Sequence, residues 1–271
     1  MARILLIDPD EALLSGLHAS PLLGHHDIDI AAGDVDALRR LWQGEFDVVV
    51  TSPSTHVEED LALLQEARRI RPRLRSVVLT ARAGPESVVA ALRARVFALF
   101  SQPFAADEIA EMIDRAAEDA PCHDGIELRS AHPDWLSVRV DCSVVTAERI
   151  LRFISELQSE VPAADREGML LAYRDVLMNA IGRAAEWAPG SAVDVIAVRS
   201  ERALVFYVQF PGAGFDVVGA SSQTDARDRQ VPDDETGDSA HGFGLLLARL
   251  VVDEVMLNEH GNEIVLIKHT R

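Results

Sequence analysis

The sequence predicts a two-part α/β protein. A doubly wound parallel sheet is expected over residues 1–120, a linker over 121–134, and an α/β sandwich, a mixed sheet backed by helices, over 135–271. Three observations carry this reading. In the first part, short and wholly apolar runs alternate with amphipathic stretches, the pattern of parallel strands covered on both faces. Between the parts, Ala-Pro-Cys-His-Asp-Gly is polar and turn-rich. In the second part, strand-like runs come in pairs around long helical segments.

Arg3–Ile7 reads as the first strand, closed by Asp8-Pro-Asp10, and Leu13, Leu14 and Leu17 mark a helix after it. Asp27–Ala31, Asp47–Val50, Ser76–Thr80 and Val96–Phe100 supply four more strands. Helices over Asp34–Gln43, Glu58–Ile70, Pro85–Arg93 and Ala105–Glu118 alternate with them. Five such units fit a flavodoxin-like doubly wound domain, whose functional edge lies at the carboxyl ends of its strands.

After the linker, Ile126–Ser130 and Leu136–Val140 read as strands. Asp141 or Ser143 can cap a helix reaching about Glu160, and Pro162 opens a longer one. Ala192–Arg199 and Ala203–Phe210 are strands, Gly219–Ala240 is a polar loop, and Val255–Asn258 with Glu263–Lys268 form a hairpin-like pair around His260-Gly-Asn262.

Composition narrows the functions. Net charge is −18, from 26 basic and 44 acidic side chains, which opposes nucleic-acid and anionic-membrane binding. Lys268 is the single lysine, so a Walker-type phosphate loop is excluded. Cys122 and Cys142 are too few for a disulfide framework, and a cytoplasmic protein with reduced thiols is expected. No signal peptide or membrane-length apolar run is visible. The nine histidines, His25-His26 among them, show no metal-ligand spacing.

The chemistry centres on Arg174–Trp187. Met169, Tyr173, Val176, Leu177, Ala180, Ile181 and Ala184 recur at helical spacing, and Asp175 and Asn179 lie beside that stripe, four apart. Two glycine motifs follow: Gly212 and Gly214 after a strand, then Gly242 and Gly244 opening a helix whose free N–H groups favour phosphate. In this order the three motifs, within about 135–271, resemble the ATP-binding domain shared by histidine kinases, gyrase-type ATPases and anti-sigma-factor serine kinases. The resemblance implies ATP and Mg²⁺ as cofactors. Asn179 would be the Mg²⁺ ligand, Asp175 the catalytic base, and Gly212, Gly214, Gly242 and Gly244 the nucleotide cradle. Phe210 stands where the family carries the aspartate that accepts the adenine amino group, so adenine selectivity should fall unless the ring stacks on the base. Lid acids at Asp233-Asp-Glu235 disfavour phosphate unless Arg227 or Arg229 folds in.

Residues 1–120 look like a response-regulator receiver domain. By that resemblance Asp8 and Pro9 occupy the acidic metal-binding pair, with Asp10 a third candidate. Ser52 takes the place of the phosphoacceptor aspartate, Thr80 matches the switch hydroxyl, and Gln102 replaces the phosphoryl-binding lysine. A serine without a base is a poor nucleophile, and the cation that offsets phosphoryl charge is gone. A pseudo-receiver is therefore expected, serving as a docking or dimerising scaffold; the sharper alternative has Ser52 modified by a protein kinase.

His123 and His132 lie in loop- or strand-like sequence, which argues against a phosphoacceptor hairpin of the histidine-kinase type. The expected function is bacterial signal transduction: a degenerate receiver regulating an ATP·Mg²⁺-binding domain of the anti-sigma protein-serine-kinase branch. The resemblance implies a regulatory protein partner, sigma-factor-like or anti-anti-sigma-like, and homodimerisation through either domain. The alternative is a non-enzymatic partner-binding module with weak or lost nucleotide binding.

Overall fold

Ile4–Ile7 and Val48–Val50 have no polar side chain to show to water, so they occupy the middle of a sheet covered on both faces, nearly fully buried. In the computed structural model the chain divides into two units, Met1–Asp124 and Gly125–Arg271. The structure describes residues 1–118, 124–212, 214, 245 and 248–270, without the side chains of 163 and 164.

The first unit alternates β1 (Arg3–Ile7), α1 (Glu11–Ala19), β2 (Asp27–Ala31), α2 (Asp34–Gln43), β3 (Val48–Val50), α3 (Val57–Ile70), β4 (Arg75–Thr80), α4 (Pro85–Arg93), β5 (Ala98–Ser101) and α5 (Ala106–Glu118). Its five strands are all parallel, in the order β2-β1-β3-β4-β5, the flavodoxin-like order. Helices α1 and α5 pack together, as do α2 with α3 and α3 with α4. Helix α1 starts where Asp10 Oδ1 accepts the Leu13 N–H at 2.7 Å. Asp10→Ala removes that cap and is expected to cost about 1 kcal/mol, read from urea unfolding.

The second unit runs β6 (Ile126–His132), β7 (Trp135–Asp141), α6 (Val144–Leu157), α7 (Ala163–Trp187), β8 (Ala192–Arg199), β9 (Ala203–Gln209), β10 (Glu254–Leu257) and β11 (Glu263–His269), with 245 and 248–251 also helical. The sheet order is β10-β11-β9-β8-β7-β6. Every pairing in it is antiparallel, which corrects the expected mixed sheet. The reason is the helix pair. A single crossover helix delivers the chain to the opposite end of a sheet, whereas α6 and α7, out and back, return it to the end it left. Asp141 at the end of β7 therefore pairs with Ala192 at the start of β8. Alternate residues face the helices: Leu136, Val138 and Val140, then Val193 and Val195, then Leu204, Phe206 and Val208, then Ile264 and Leu266 are all buried. Tyr173 of α7 stacks on Phe206 with ring centroids 4.1 Å apart. No helix among the described residues is long and apolar enough to cross a membrane.

Candidate functional site

Helix α7 buries its whole predicted stripe, from Met169 to Ala184. That fixes its rotation and leaves Asp175 and Asn179 half-buried beside the core. Asn179 Nδ2 donates to the Asp175 backbone carbonyl at 2.8 Å. A carbonyl can only accept, so this bond assigns the amide: the nitrogen turns toward the helix backbone and, among the described residues, Oδ1 is left as an acceptor without a donor. An uncharged oxygen held in this way suits Mg²⁺, which takes oxygen ligands and keeps several waters. Asp175 has no side-chain hydrogen bond among the described residues. Burial raises its carboxyl above the usual range, and Arg174 pulls it part of the way back. A raised carboxyl is a stronger base once ionised.

The first glycine motif lies against the same helix. Gly212 adopts φ 94°, and a Cβ there would stand 2.9 Å from the Trp187 ring. At Gly214 a Cβ would stand 2.0 Å from the Gly261 carbonyl carbon and 2.1 Å from His260 O. Arg183 Nη1 donates to Gly214 O at 3.1 Å. Asp175, Asn179 and Arg183 thus follow one another at four-residue intervals along α7 toward the loop. Arg183 was not singled out in the sequence, although its spacing from Asn179 was a readable signal. Asn262 was missed as well. It ties the loop to the β10–β11 turn by accepting the Phe210 N–H at 3.1 Å and donating from Nδ2 to Phe210 O at 3.1 Å.

Phe210 itself is 2 % exposed. Its ring belongs to the core and offers no face for a base to stack on, and no carboxylate stands at this position. Among the described residues, the Asn179 oxygen suits Mg²⁺, while Phe210 supplies no acceptor for an adenine amino group. Gly242 and Gly244, like Asp233–Glu235, Arg227 and Arg229, lie outside the described residues. So do Cys122 and His123; Cys142 is a free thiol. The helical residues at 248–251 run beside α7, since a Cβ on Gly168 would meet Val251 Cβ at 3.6 Å.

In the first unit, the matched positions lie at the carboxyl ends of the strands. Asp8 follows β1 in the left-handed region at φ 43°, exposed, and Asp10 is engaged as the α1 cap. Ser52 follows β3 but is 3 % exposed, and its Oγ accepts the Ser54 N–H at 3.2 Å. That hydroxyl is not presented to another enzyme. Thr80 is fully buried, its hydroxyl 3.2 Å from Thr55 O and 3.3 Å from Arg82 O. Gln102 is exposed after β5.

Sequence reasoning missed Asp60 in this unit. It sits in the first turn of α3 and is 2 % exposed. Thr51 Oγ1 donates to Asp60 Oδ2 at 3.1 Å and accepts the Leu79 N–H at 3.1 Å. Thr55 Oγ1 lies 2.7 Å from Asp60 Oδ1 and 2.8 Å from Ser52 O. A hydroxyl has one proton. If Thr55 gives it to Ser52 O, the contact to Asp60 is complete only when Asp60 carries a proton of its own. Burial accordingly pushes the Asp60 carboxyl up to about 7, against the opposing pull of the two threonine hydroxyls.

No curated protein matches the chain. Residues 139–268 match the family described as histidine kinase-like ATPase domain. Among solved structures, the chain is similar to a CheY-like response regulator receiver domain protein from Methanospirillum hungatei JF-1, at 24% identity and TM-score 0.38, covering 44% of this chain and 94% of that one. It is also similar to the HemR receiver domain from Leptospira biflexa, at 21% identity and TM-score 0.40, covering 45% and 99%. A response regulator from Thermotoga maritima matches at 17% identity and TM-score 0.39, covering 44% and 99%. The fold of the first unit rests on its own strand order.

Proposed function

We propose, from the match of residues 139–268 to the histidine kinase-like ATPase domain family, that this chain is a signal-transduction protein in which a pseudo-receiver regulates an ATP·Mg²⁺-binding unit of the anti-sigma, protein-serine-kinase type. The observation that supports it is the Asn179 amide, whose nitrogen is tied back to Asp175 O and whose oxygen is left for a metal. Asn179 would hold Mg²⁺ and Asp175 would accept the proton of an attacking seryl hydroxyl. When bound, the metal neutralises charge on the phosphates. Arg183 and Trp187 hold the Gly212–Gly214 loop beside these two side chains. The partner is a regulatory protein, sigma-factor-like or anti-anti-sigma-like. The first unit has lost the usual acceptor, with a buried serine in its place, and acts as a scaffold.

Phe210 supports a second reading, a partner-binding module with weak or lost nucleotide binding. Losing a hydrogen bond to a charged acceptor costs roughly 1.5–3 kcal/mol, or about one to two decades in affinity.

Calorimetry with ATP, with and without Mg²⁺, separates the two. The kinase reading expects binding that needs Mg²⁺ and falls at least ~10-fold in Asn179→Ala, a loss of about 1.4 kcal/mol or more. Absence of binding by the wild type at millimolar ATP overturns it and leaves the partner-binding module.

A further inference from the structure

Two adjacent histidines and an aspartate far from them in sequence converge in the first unit, away from the carboxyl ends of its strands. His25 and His26 lie in the turn before β2, and Asp114 lies on α5. Asp114 Oδ1 is 3.0 Å from His26 Nε2 and 3.6 Å from His25 Nε2, and the three ligand atoms lie within 4.8 Å of one another. A tetrahedral Zn²⁺ with bonds of about 2.1 Å sets its ligands roughly 3.4 Å apart, between the two measured separations. The burial is graded as a one-sided site requires: the side chains of His26, Asp114 and His25 are 2 %, 17 % and 53 % exposed. The His25 and His26 rings already stand with centroids 3.9 Å apart. The turn is pre-formed, because His26 N–H donates to Leu23 O at 3.0 Å and Asp27 N–H to Ala2 O at 3.0 Å. A cavity of about 580 Å³ adjoins the pair, lined by His25, His26, Asp47 and Glu118 among others, so water can complete a coordination shell.

We propose that His25, His26 and Asp114 form a divalent transition-metal site of the Zn²⁺ class, with two imidazoles, one carboxylate and a fourth position open to the cavity. Two nitrogens and one oxygen favour Zn²⁺ over Mg²⁺ or Ca²⁺, which prefer oxygen alone. In the metal-free chain the His26–Asp114 contact is a hydrogen bond, whose proton a metal would displace. Ala2 N–H donates to His26 Nδ1 at 3.2 Å, so the ring proton sits on Nε2 and points at Asp114. A metal on Nε2 sends that proton to Nδ1, where it meets the Ala2 N–H. Binding therefore breaks the Ala2 bond and loosens the residue that leads into β1. The proposal is independent of any nucleotide at Asn179.

The test is Zn²⁺ titration of the full chain by calorimetry, with Co²⁺ as the spectroscopic probe. Loss of an outer-shell partner weakens metal sites by roughly 10–100-fold, and loss of a ligand should exceed the lower figure. His25→Ala, half-exposed and outside every helix and strand, should weaken Zn²⁺ more than ~10-fold with the metal-free melting temperature unchanged. Asp114→Asn should weaken it too. The Co²⁺ form should show four-coordinate d–d bands with no thiolate charge-transfer band, and saturating Zn²⁺ should shift the Ala2 amide resonance. Equal Zn²⁺ affinity in wild type and His25→Ala, or a thiolate band with Co²⁺, overturns the proposal.

Discussion

Asp60→Asn stabilises the first unit at pH 8 by about 2–4 kcal/mol, by less than half as much at pH 5, and hardly at all at about pH 3, below the ordinary carboxyl range. The wild-type carboxyl titrates at about 7 in the folded chain, against an ordinary value of 3.8 that the unfolded chain recovers. Between these values the folded state holds a proton that the unfolded state has released. Stability therefore falls as pH rises through that window, and above it the folded state carries a buried charge at full cost. At about 1.36 kcal/mol per pH unit, the separation sets an upper bound of about 4 kcal/mol. Asparagine reproduces the protonated acid group by group: its Nδ2 can donate to Thr55 Oγ1 and its Oδ1 can accept from Thr51. The variant should then show urea midpoints that no longer decline from pH 5 to pH 8. A midpoint lower than wild type at pH 8 would mean that the carboxylate is held ionised by its threonines.

Gly214→Ala is expected to destabilise the second unit by about 3 kcal/mol, at the upper end of overpacking costs. The added methyl would stand 2.0–2.4 Å from Gly261 C, His260 O and Asn262 N. These are backbone atoms of the β10–β11 turn, locked by the bonds of Asn262 to Phe210 and to Asn258, and they have no rotamer by which to retreat. Thermal unfolding followed by near-ultraviolet circular dichroism reads the effect through Trp187, which packs on the neighbouring Gly212. Gly182→Ala serves as the control, since a Cβ there meets nothing within 4 Å. Equal losses at both positions would remove the steric argument.

Much of this architecture could be read before any coordinates. The apolar runs of β1, β3 and β4 announce strands with no wet face, and the stripe of α7 announces its buried side. Both helices between β7 and β8 were legible, but the antiparallel second sheet was not, because hydrophobic period marks an element and its buried face without saying which strands pair or in which direction. Asp60 sits in Glu58-Glu-Asp, which reads as an ordinary acidic first turn; only the approach of Thr51 from β3 makes it a buried group. Gly214 was visible as a glycine, whereas its reason, the His260–Asn262 backbone, comes from almost fifty positions away in the chain. His25 and His26 lacked a third ligand in sequence because Asp114 lies 88 residues beyond His26.

Strand β11 lies between β9 and β10, so an inner position of the six-stranded sheet is filled by a strand synthesised after both of its neighbours. Glu263 must find Gln209 across everything between them, and β10, though made earlier, has no neighbour until β11 arrives. Loop closure over such a span is slow relative to local pairing, which raises the folding barrier for long-range strand contacts. On the ribosome, the first unit can complete its parallel sheet while the second still waits as an open four-stranded precursor of β6–β9. During that interval the outer edge of β9 is an unpaired strand, the condition under which nascent sheets recruit the wrong neighbour.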